Sequence, residues 1–150
     1  MDDATPADQT PIFFYSSSSG QTRLFAQNLE RPVLDLADRR VRAGGATGPW
    51  VLLTPSYKTG NPDNDTLPEP VRRFLSDPVN RRLMVGIIGA GNRSFGSHYQ
   101  SAARLIARTS GRPILFEVEL SGTPEDVVEC RAVMAQVDRD LAAAPSASRR

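Results

Sequence analysis

The sequence predicts a doubly wound α/β domain built on a five-stranded parallel sheet, and three observations carry that expectation. Short apolar runs alternate with amphipathic stretches along most of the chain, the pattern of strands and helices taken in turn. Two of the runs, Trp50–Thr54 and Leu83–Ala90, are apolar almost without interruption, as strands covered on both faces are. Loops of small residues follow the first, third and fourth runs, which in such a sheet share one edge.

Taken in order, Ile12–Tyr15 is the first strand and Thr22–Leu29 the first helix, with Phe25 and Leu29 one turn apart. Pro32–Leu36 is a short second strand. Arg39–Pro49 is polar and contains three glycines, and reads as a loop. Trp50–Thr54 is the third strand, and Pro55–Pro68, with its prolines, Gly60 and several Asx residues, is a long loop. A short helix fits Glu69–Leu75, with Val71, Phe74 and Leu75 inward. Leu83–Ala90 is the fourth strand, Gly91–Ser97 a loop, and Tyr99–Thr109 a helix burying Ala102, Ala103 and Ile106. Pro113–Leu120 is the last strand. Thr123 then serves as N-cap, Pro124 opens the first turn and Glu125 and Asp126 face its positive end. Val127, Cys130, Met134, Val137 and Leu141 follow at steps of three and four, the buried stripe of a final helix. Residues 1–10 and 142–150 read as disordered tails around one domain spanning residues 11–141.

At 150 residues the chain has room for one ordinary core. Lysine plus arginine number 18 and aspartate plus glutamate 17, a formal net charge of +1 without a basic block, so neither nucleic acid nor a membrane surface is expected as partner. No apolar stretch approaches the ~20 residues of a membrane span and no signal peptide is visible, which makes the cytoplasm the expected location. The single cysteine, Cys130, excludes an internal disulfide and any CxxC pair, and its place on an apolar stripe predicts a buried, inert thiol. His98 is the sole histidine, with no nucleophile elbow and no set of metal ligands around it.

The chemistry-bearing segments are the loops. Ser16-Ser17-Ser18-Ser19-Gly20-Gln21-Thr22 joins a buried strand directly to a helix, and offers backbone N–H groups and hydroxyls to a phosphate. A solvated serine-rich turn is the alternative. The loop lacks the Gly-Lys-Ser/Thr of a Walker A sequence and has one glycine where a dinucleotide fingerprint has three. Thr54-Pro55-Ser56-Tyr57 and Gly91-Asn92-Arg93-Ser94-Phe95-Gly96 end the third and fourth strands, each with an aromatic that suits a flat ring or, equally, ordinary packing.

The spacing of Ser17, Ser19, Gly20 and Thr22 resembles the phosphate loop of flavodoxins, and the order of further segments resembles the NrdI family. The carriers are Phe14-Tyr15-Ser16-Ser17-Ser18-Ser19 with Thr22-Arg23, Thr54-Pro55-Ser56-Tyr57, Val71-x-x-Phe74-Leu75, and Asn80-Arg81-x-Leu83. Gly86 to Gly96, with Ala90-Gly91-Asn92-Arg93-x-Phe95-Gly96 at its core, and Phe116-x-Val118-Glu119-Leu120-x-Gly122-Thr123 complete the set. The resemblance implies a flavodoxin-like sheet in the order 2-1-3-4-5, with FMN as cofactor. It implies that the partner is the metal-bearing small subunit of class Ib ribonucleotide reductase. The reduced flavin would convert dioxygen to a superoxide-level oxidant used to assemble that subunit's dimanganese-tyrosyl radical cofactor. An accessory redox flavoprotein is implied rather than a stand-alone metabolic enzyme. Ser17, Ser18, Ser19, Gly20, Gln21 and Thr22 match the phosphate loop. Ser56, Tyr57, Lys58, Thr59 and Gly60 match the loop beside the flavin N5 edge, and Gly91, Asn92, Phe95 and Gly96 the loop on the other side of the ring. A general flavodoxin-type electron carrier for another redox partner is the alternative.

One departure stands out. Lys58-Thr59-Gly60-Asn61 occupies a position where members of the family it resembles usually have a run of glycines or a short glycine-bearing loop, and Lys58 is the only lysine beside seventeen arginines. A cation there either points into solvent near Asp63 or Asp65, or stabilises the anionic reduced flavin and draws superoxide inward, an effect of ~1 kcal/mol. On the second reading Lys58→Gly lowers the potential of the couple that forms the anionic reduced flavin by tens of millivolts, the equivalent of ~1 kcal/mol. Redox titration of the two proteins side by side checks it, and matching potentials return Lys58 to the solvent.

Overall fold

The computed structural model describes residues 9–16, 19–56, 67–91 and 100–143. They form five strands and six helices in the order β1(Ile12–Phe14), α1(Gln21–Gln27), β2(Val33–Asp35), α2(Arg39–Gly44), β3(Trp50–Pro55), α3(Glu69–Leu75), α4(Pro78–Leu83), β4(Met84–Gly91), α5(Ser101–Ser110), β5(Ile114–Glu119) and α6(Pro124–Ala143). All pairings are parallel and the sheet order is β2-β1-β3-β4-β5, as expected. Ile12 pairs with Val33 on one side and Val51 on the other, so β1 lies between the two directions in which the sheet is wound.

Alternation along the strands divides the core in two. Ile12, Phe14, Val51, Leu53, Ile88 and Ala90 face α1 and α6 and pack with Phe25, Ala26, Leu29, Cys130 and Met134. Phe13, Trp50, Leu52 and Ile87 face the other way, against Val71 and Phe74 of α3 and Ala103 and Ile106 of α5. On that second face Phe13 stacks on Phe74 at 5.1 Å between ring centroids, and Trp50 meets both edge-on at 5.2 Å.

Two helices depart from the sequence reading. Residues 39–44 form α2 rather than loop, because Asp38 caps the segment by accepting from the Arg40 N–H at 2.8 Å, a local signal outweighing its polarity. Residues 78–83 form α4, capped in the same way by Asp77 on the Val79 N–H, with Pro78 in the first turn. The segment has no apolar stripe to announce a helix. α4 exists for another purpose. It carries the buried Asn80, whose Oδ1 accepts from Ala46 N–H, whose Nδ2 donates to the Phe74 carbonyl, and whose own carbonyl accepts from the Trp50 indole N–H. One residue thus satisfies polar groups of Ala46, Trp50 and Phe74 beneath the aromatic cluster.

α6 starts as predicted, with a reciprocal capping box: Asp126 N–H donates to Thr123 Oγ1 and Thr123 N–H to the Asp126 carboxylate. It runs on to Ala143. Its C-terminal half is tied to the start of β1 by Asp138, which accepts from Thr10 N–H and pairs with the buried Arg31 at 3.1 Å. Arg31 also donates to the Thr10 carbonyl.

Cys130 is fully buried beneath Phe25 and its neighbours, and burial, opposed by Arg31 and reinforced by Asp126, pushes its thiol pKa from 9.0 up to about 12. In the unfolded chain the thiol ionises above pH 9.0, while the folded chain keeps its proton until about 12. The unfolded state then binds fewer protons, so this contribution is intact below pH 9.0 and is lost as pH rises through that window. Under reducing conditions, the parent should therefore lose stability between pH 9 and 10 faster than Cys130→Ala, by up to about 1.4 kcal/mol. Urea unfolding of both proteins at those pH values checks this, and parallel slopes would contradict it.

Candidate functional site

Because every strand is parallel, Ser16 after β1, Ser56 after β3 and Gly91 at the end of β4 lie at one edge of the sheet, on three neighbouring strands. This is the edge where the winding reverses and where open α/β sheets take their ligands. Of the residues singled out in the sequence, Ser19, Gly20, Gln21, Thr22, Ser56 and Gly91 are described there. Ser17, Ser18, Tyr57, Lys58, Thr59, Gly60, Asn92, Phe95 and Gly96 lie outside the described residues.

The junction after β1 is held by a residue the sequence reading did not weigh separately. Ser16 is buried, and its Oγ accepts from Arg23 N–H at 3.1 Å, in the first turn of α1. Gly20 precedes that helix at φ 76°, a left-handed conformation that suits glycine, and none of the described residues comes within 4 Å of the point where its Cβ would sit. Ser19 is exposed and Thr22 buried. Ser16 is therefore fixed to α1, and among the described residues the space at Gly20 is open. Arg23 points away to Asp35 at the end of β2 and lies over the Phe14 ring.

Ser56 is 2% exposed, and its Oγ accepts from Ala102 N–H at 2.8 Å. Its hydroxyl is thus used to cap the first turn of α5. Next to it, Gln100 is fully buried at φ 60°, and its Nε2 donates to the carbonyls of Gly89 in β4 and Val118 in β5 at 3.0 and 2.9 Å. Leu120 N–H donates to the Gly91 carbonyl at 2.8 Å, extending the β4–β5 pairing to the edge. The start of α5 therefore gathers the ends of β3, β4 and β5. Gln100 carries no motif in the sequence, because its role depends on a long-range approach that periodicity does not encode.

Elsewhere a cleft of about 710 Å³ lies at the opposite end of the sheet, lined by Thr10, Gly45, Pro49, Asp138 and Leu141 among others. Among the described residues that line it Asp138 is the one charged group, and it is already paired with Arg31. Among the described residues no group of three or more His, Cys, Asp or Glu side chains could hold a metal, and no helix is long and apolar enough to cross a membrane.

This sheet order, with the ends of β1, β3 and β4 side by side, defines a flavodoxin-like protein. The chain superimposes on oxidised flavodoxin 1 from Bacillus cereus with a TM-score of 0.59 at 17% identity, covering 87% of this chain and 97% of that one. It superimposes on a short-chain flavodoxin associated with a bacterial microcompartment with a TM-score of 0.61 at 13% identity, covering 87% and 96%. These likenesses show the fold.

Sequence comparison narrows the class. A family model described as NrdI flavodoxin-like matches residues 13–132, and the chain belongs to that family. It is 39% identical over 131 residues to protein NrdI of Chromohalobacter salexigens, covering 87% of this chain and 97% of that one. It is 41% identical over 122 residues to protein NrdI of Yersinia enterocolitica, covering 81% and 90%.

Ser56→Ala should leave the buried Ala102 N–H without its acceptor and destabilise the fold by about 1–3 kcal/mol. Denaturant unfolding measures the loss, and a change within error would show that the hydroxyl is dispensable to α5.

Proposed function

We propose that this chain binds one FMN at the edge formed by the ends of β1, β3 and β4. Its role would be to deliver a superoxide-level oxidant, made from dioxygen, to the metal-bearing small subunit of class Ib ribonucleotide reductase. There the oxidant would serve to assemble the dimanganese-tyrosyl radical cofactor. The observation that carries the reading is the family match over residues 13–132, on a sheet whose order brings the serine loop, Ser56 and Gly91 to one edge. Cytoplasmic location follows from the partner proposed.

The described residues fit such a cofactor. The sequence from 16 to 22 contains no acidic side chain to repel a phosphate and carries hydroxyls, and none of the described residues fills the space at Gly20. Ser16 holds the base of that loop to α1, which keeps its backbone in place without using the open side. Ser17, Ser18, Ser19, Gly20, Gln21 and Thr22 would hold the phosphate. The chain segments carrying Tyr57, Lys58, Thr59 and Gly60 on one side, and Gly91, Asn92, Phe95 and Gly96 on the other, would flank the ring. FMN held there supplies electron transfer and, once reduced, the reaction with dioxygen. The protein's own part is to orient the ring, to limit water at its edge and, through Lys58, to place a positive charge beside it. Phe95 is the preferred stacking residue.

The purified protein should show flavin absorption in the blue and near-ultraviolet, and the apoprotein should bind FMN in a 1:1 titration. Ser19→Glu and Thr22→Glu should each weaken binding severely, since a carboxylate would face the phosphate at short range. Retention of FMN as tight as in the parent would place the phosphate elsewhere. Reconstitution with the reductase small subunit, Mn(II) and dioxygen then tests the partner, with the tyrosyl radical read by electron paramagnetic resonance. No radical above the flavin-free control would favour a general electron carrier.

A further inference from the structure

Arginines that the sequence scatters over residues 81–112 are gathered by the fold at one end of the sheet. α4 and α5 lead directly into β4 and β5, so their C-terminal ends lie side by side where those neighbouring strands begin. Arg81 and Arg82 stand in the last turn of α4 and Arg108 in the last turn of α5, and Arg112 follows the left-handed Gly111 that ends α5. Arg112 Nη2 donates to the Arg82 carbonyl at 3.3 Å, and Arg81 Nη1 to the carbonyls of Leu75 and Ser76 at 2.8 and 3.2 Å, where α3 ends. All four arginines are exposed, and so is the apolar Val79, one turn before Arg82 on α4.

Cations suit the negative ends of helices, and this accounts for Arg81 and Arg112, which donate to carbonyls there. It leaves the side chains of Arg82 and Arg108 without a hydrogen bond or ion pair among the described residues. The carboxylates of the neighbouring elements are engaged elsewhere: Glu69 with Arg72 and Arg73, Glu117 with Arg104, and Asp77 with the Val79 N–H it caps. Among the described residues no carboxylate therefore pairs with any of the four. What surrounds the patch limits what would fill it. The net charge of the chain is only +1, and Asp138 and Asp140 lie near the C-terminal end of α6, at this same end of the sheet. A nucleic acid strand or an anionic membrane extends past four arginines and meets those carboxylates. A short acidic peptide does not, and the arginine fork takes carboxylates in paired hydrogen bonds.

We propose that the end of the sheet where β4 and β5 begin is a docking surface for a short acidic segment of a protein partner, held by Arg81, Arg82, Arg108 and Arg112 beside Val79. It lies at the opposite end of the sheet from Ser16, Ser56 and Gly91. A partner docked on it leaves that other edge uncovered, so the protein is tethered at one end while its ligand edge stays open. The inference does not depend on the FMN reading.

Fluorescence anisotropy of a fluorescein-labelled octaglutamate peptide, titrated with the full chain at low ionic strength, tests this. Labelled octaglutamine and an octathymidylate strand serve as comparisons. Octaglutamate should bind saturably and octaglutamine should not. Its binding should vanish in about 1 M salt, where charges are screened beyond about 3 Å. Arg82→Glu combined with Arg108→Glu should weaken it about tenfold or more, since two attractive charges become repulsive. Arg39→Glu combined with Arg40→Glu makes the same change of net charge on α2 and should leave the affinity within about twofold. Thermal unfolding confirms that each variant folds, and should the first pair fail to fold, Arg82→Gln with Arg108→Gln takes its place with a loss in the same direction. Three results overturn the inference. In the first, octaglutamate does not bind the parent. In the second, the α2 variant loses as much affinity as the patch variant, so that net charge alone decides. In the third, octathymidylate binds more tightly than octaglutamate, which makes the patch a nucleic acid surface.

Discussion

Parallel pairing of β1 with both β2 and β3 is the constraint on which the rest of the structure depends. A parallel crossover is right-handed, so passing from β1 to β2 places α1 on one face, and returning across β1 to β3 and β4 places later helices on the other. The apolar alternation follows the same division, with Ile12 and Phe14 beneath α1 and α6 and Phe13 beneath α3 and α5. Nothing in this arrangement requires a particular ligand. It requires only that the loops after β1 and β3 diverge to opposite faces, which leaves a concave edge between them.

The two ends of the sheet solve different problems. At the end where β1 begins, side chains seal the structure: Arg31 and Asp138 join α6 to Thr10, and Asn80 joins α4 to Ala46, Trp50 and Phe74. At the other end, side chains from the strand ends and the helix starts serve as braces, Ser16 to α1, Ser56 to α5 and Gln100 to β4 and β5. These braces fix where the loops begin and return, and leave the residues between their ends free to be chosen for chemistry.

Most of the fold was legible because it is written in periodicity. Trp50–Pro55 and Met84–Gly91 are apolar on both faces and read as central strands, and Thr123-Pro124-Glu125-Asp126 states the start of α6 in capping terms. α2 and α4 were not legible, because six-residue helices carry less than two turns of pattern and rest on single Asp caps. The site divides along the same line. The proposed loops stand out by composition, a run of serines after a buried strand and glycines after two others. The braces do not. Ser56 is a small polar residue at a strand end, which says nothing of a bond to Ala102 forty-six positions away, and Gln100 looks like any surface glutamine until the sheet closes beneath it.

The braces share one chemical property, and it bears on what a redox site at this edge would need. Ser16, Ser56 and Gln100 are buried and uncharged. A charged residue in any of these places would act on a nearby redox group through a medium of low effective dielectric, where a unit charge is worth several times its value in water. It would also need a buried partner to offset its desolvation. Arg23 of α1 and Arg104 of α5 are paired instead, with Asp35 and Glu117. Neutral braces thus separate two tasks that a charged brace would merge. The residues at the ends of the loops are fixed by hydrogen bonds and packing, which carry little long-range field. Under the flavin reading, the potential is then left to groups in the loops themselves, where Lys58 stands as the single lysine of the chain. A substitution in a loop can change the potential without disturbing the frame, and one in the frame can change geometry without adding charge.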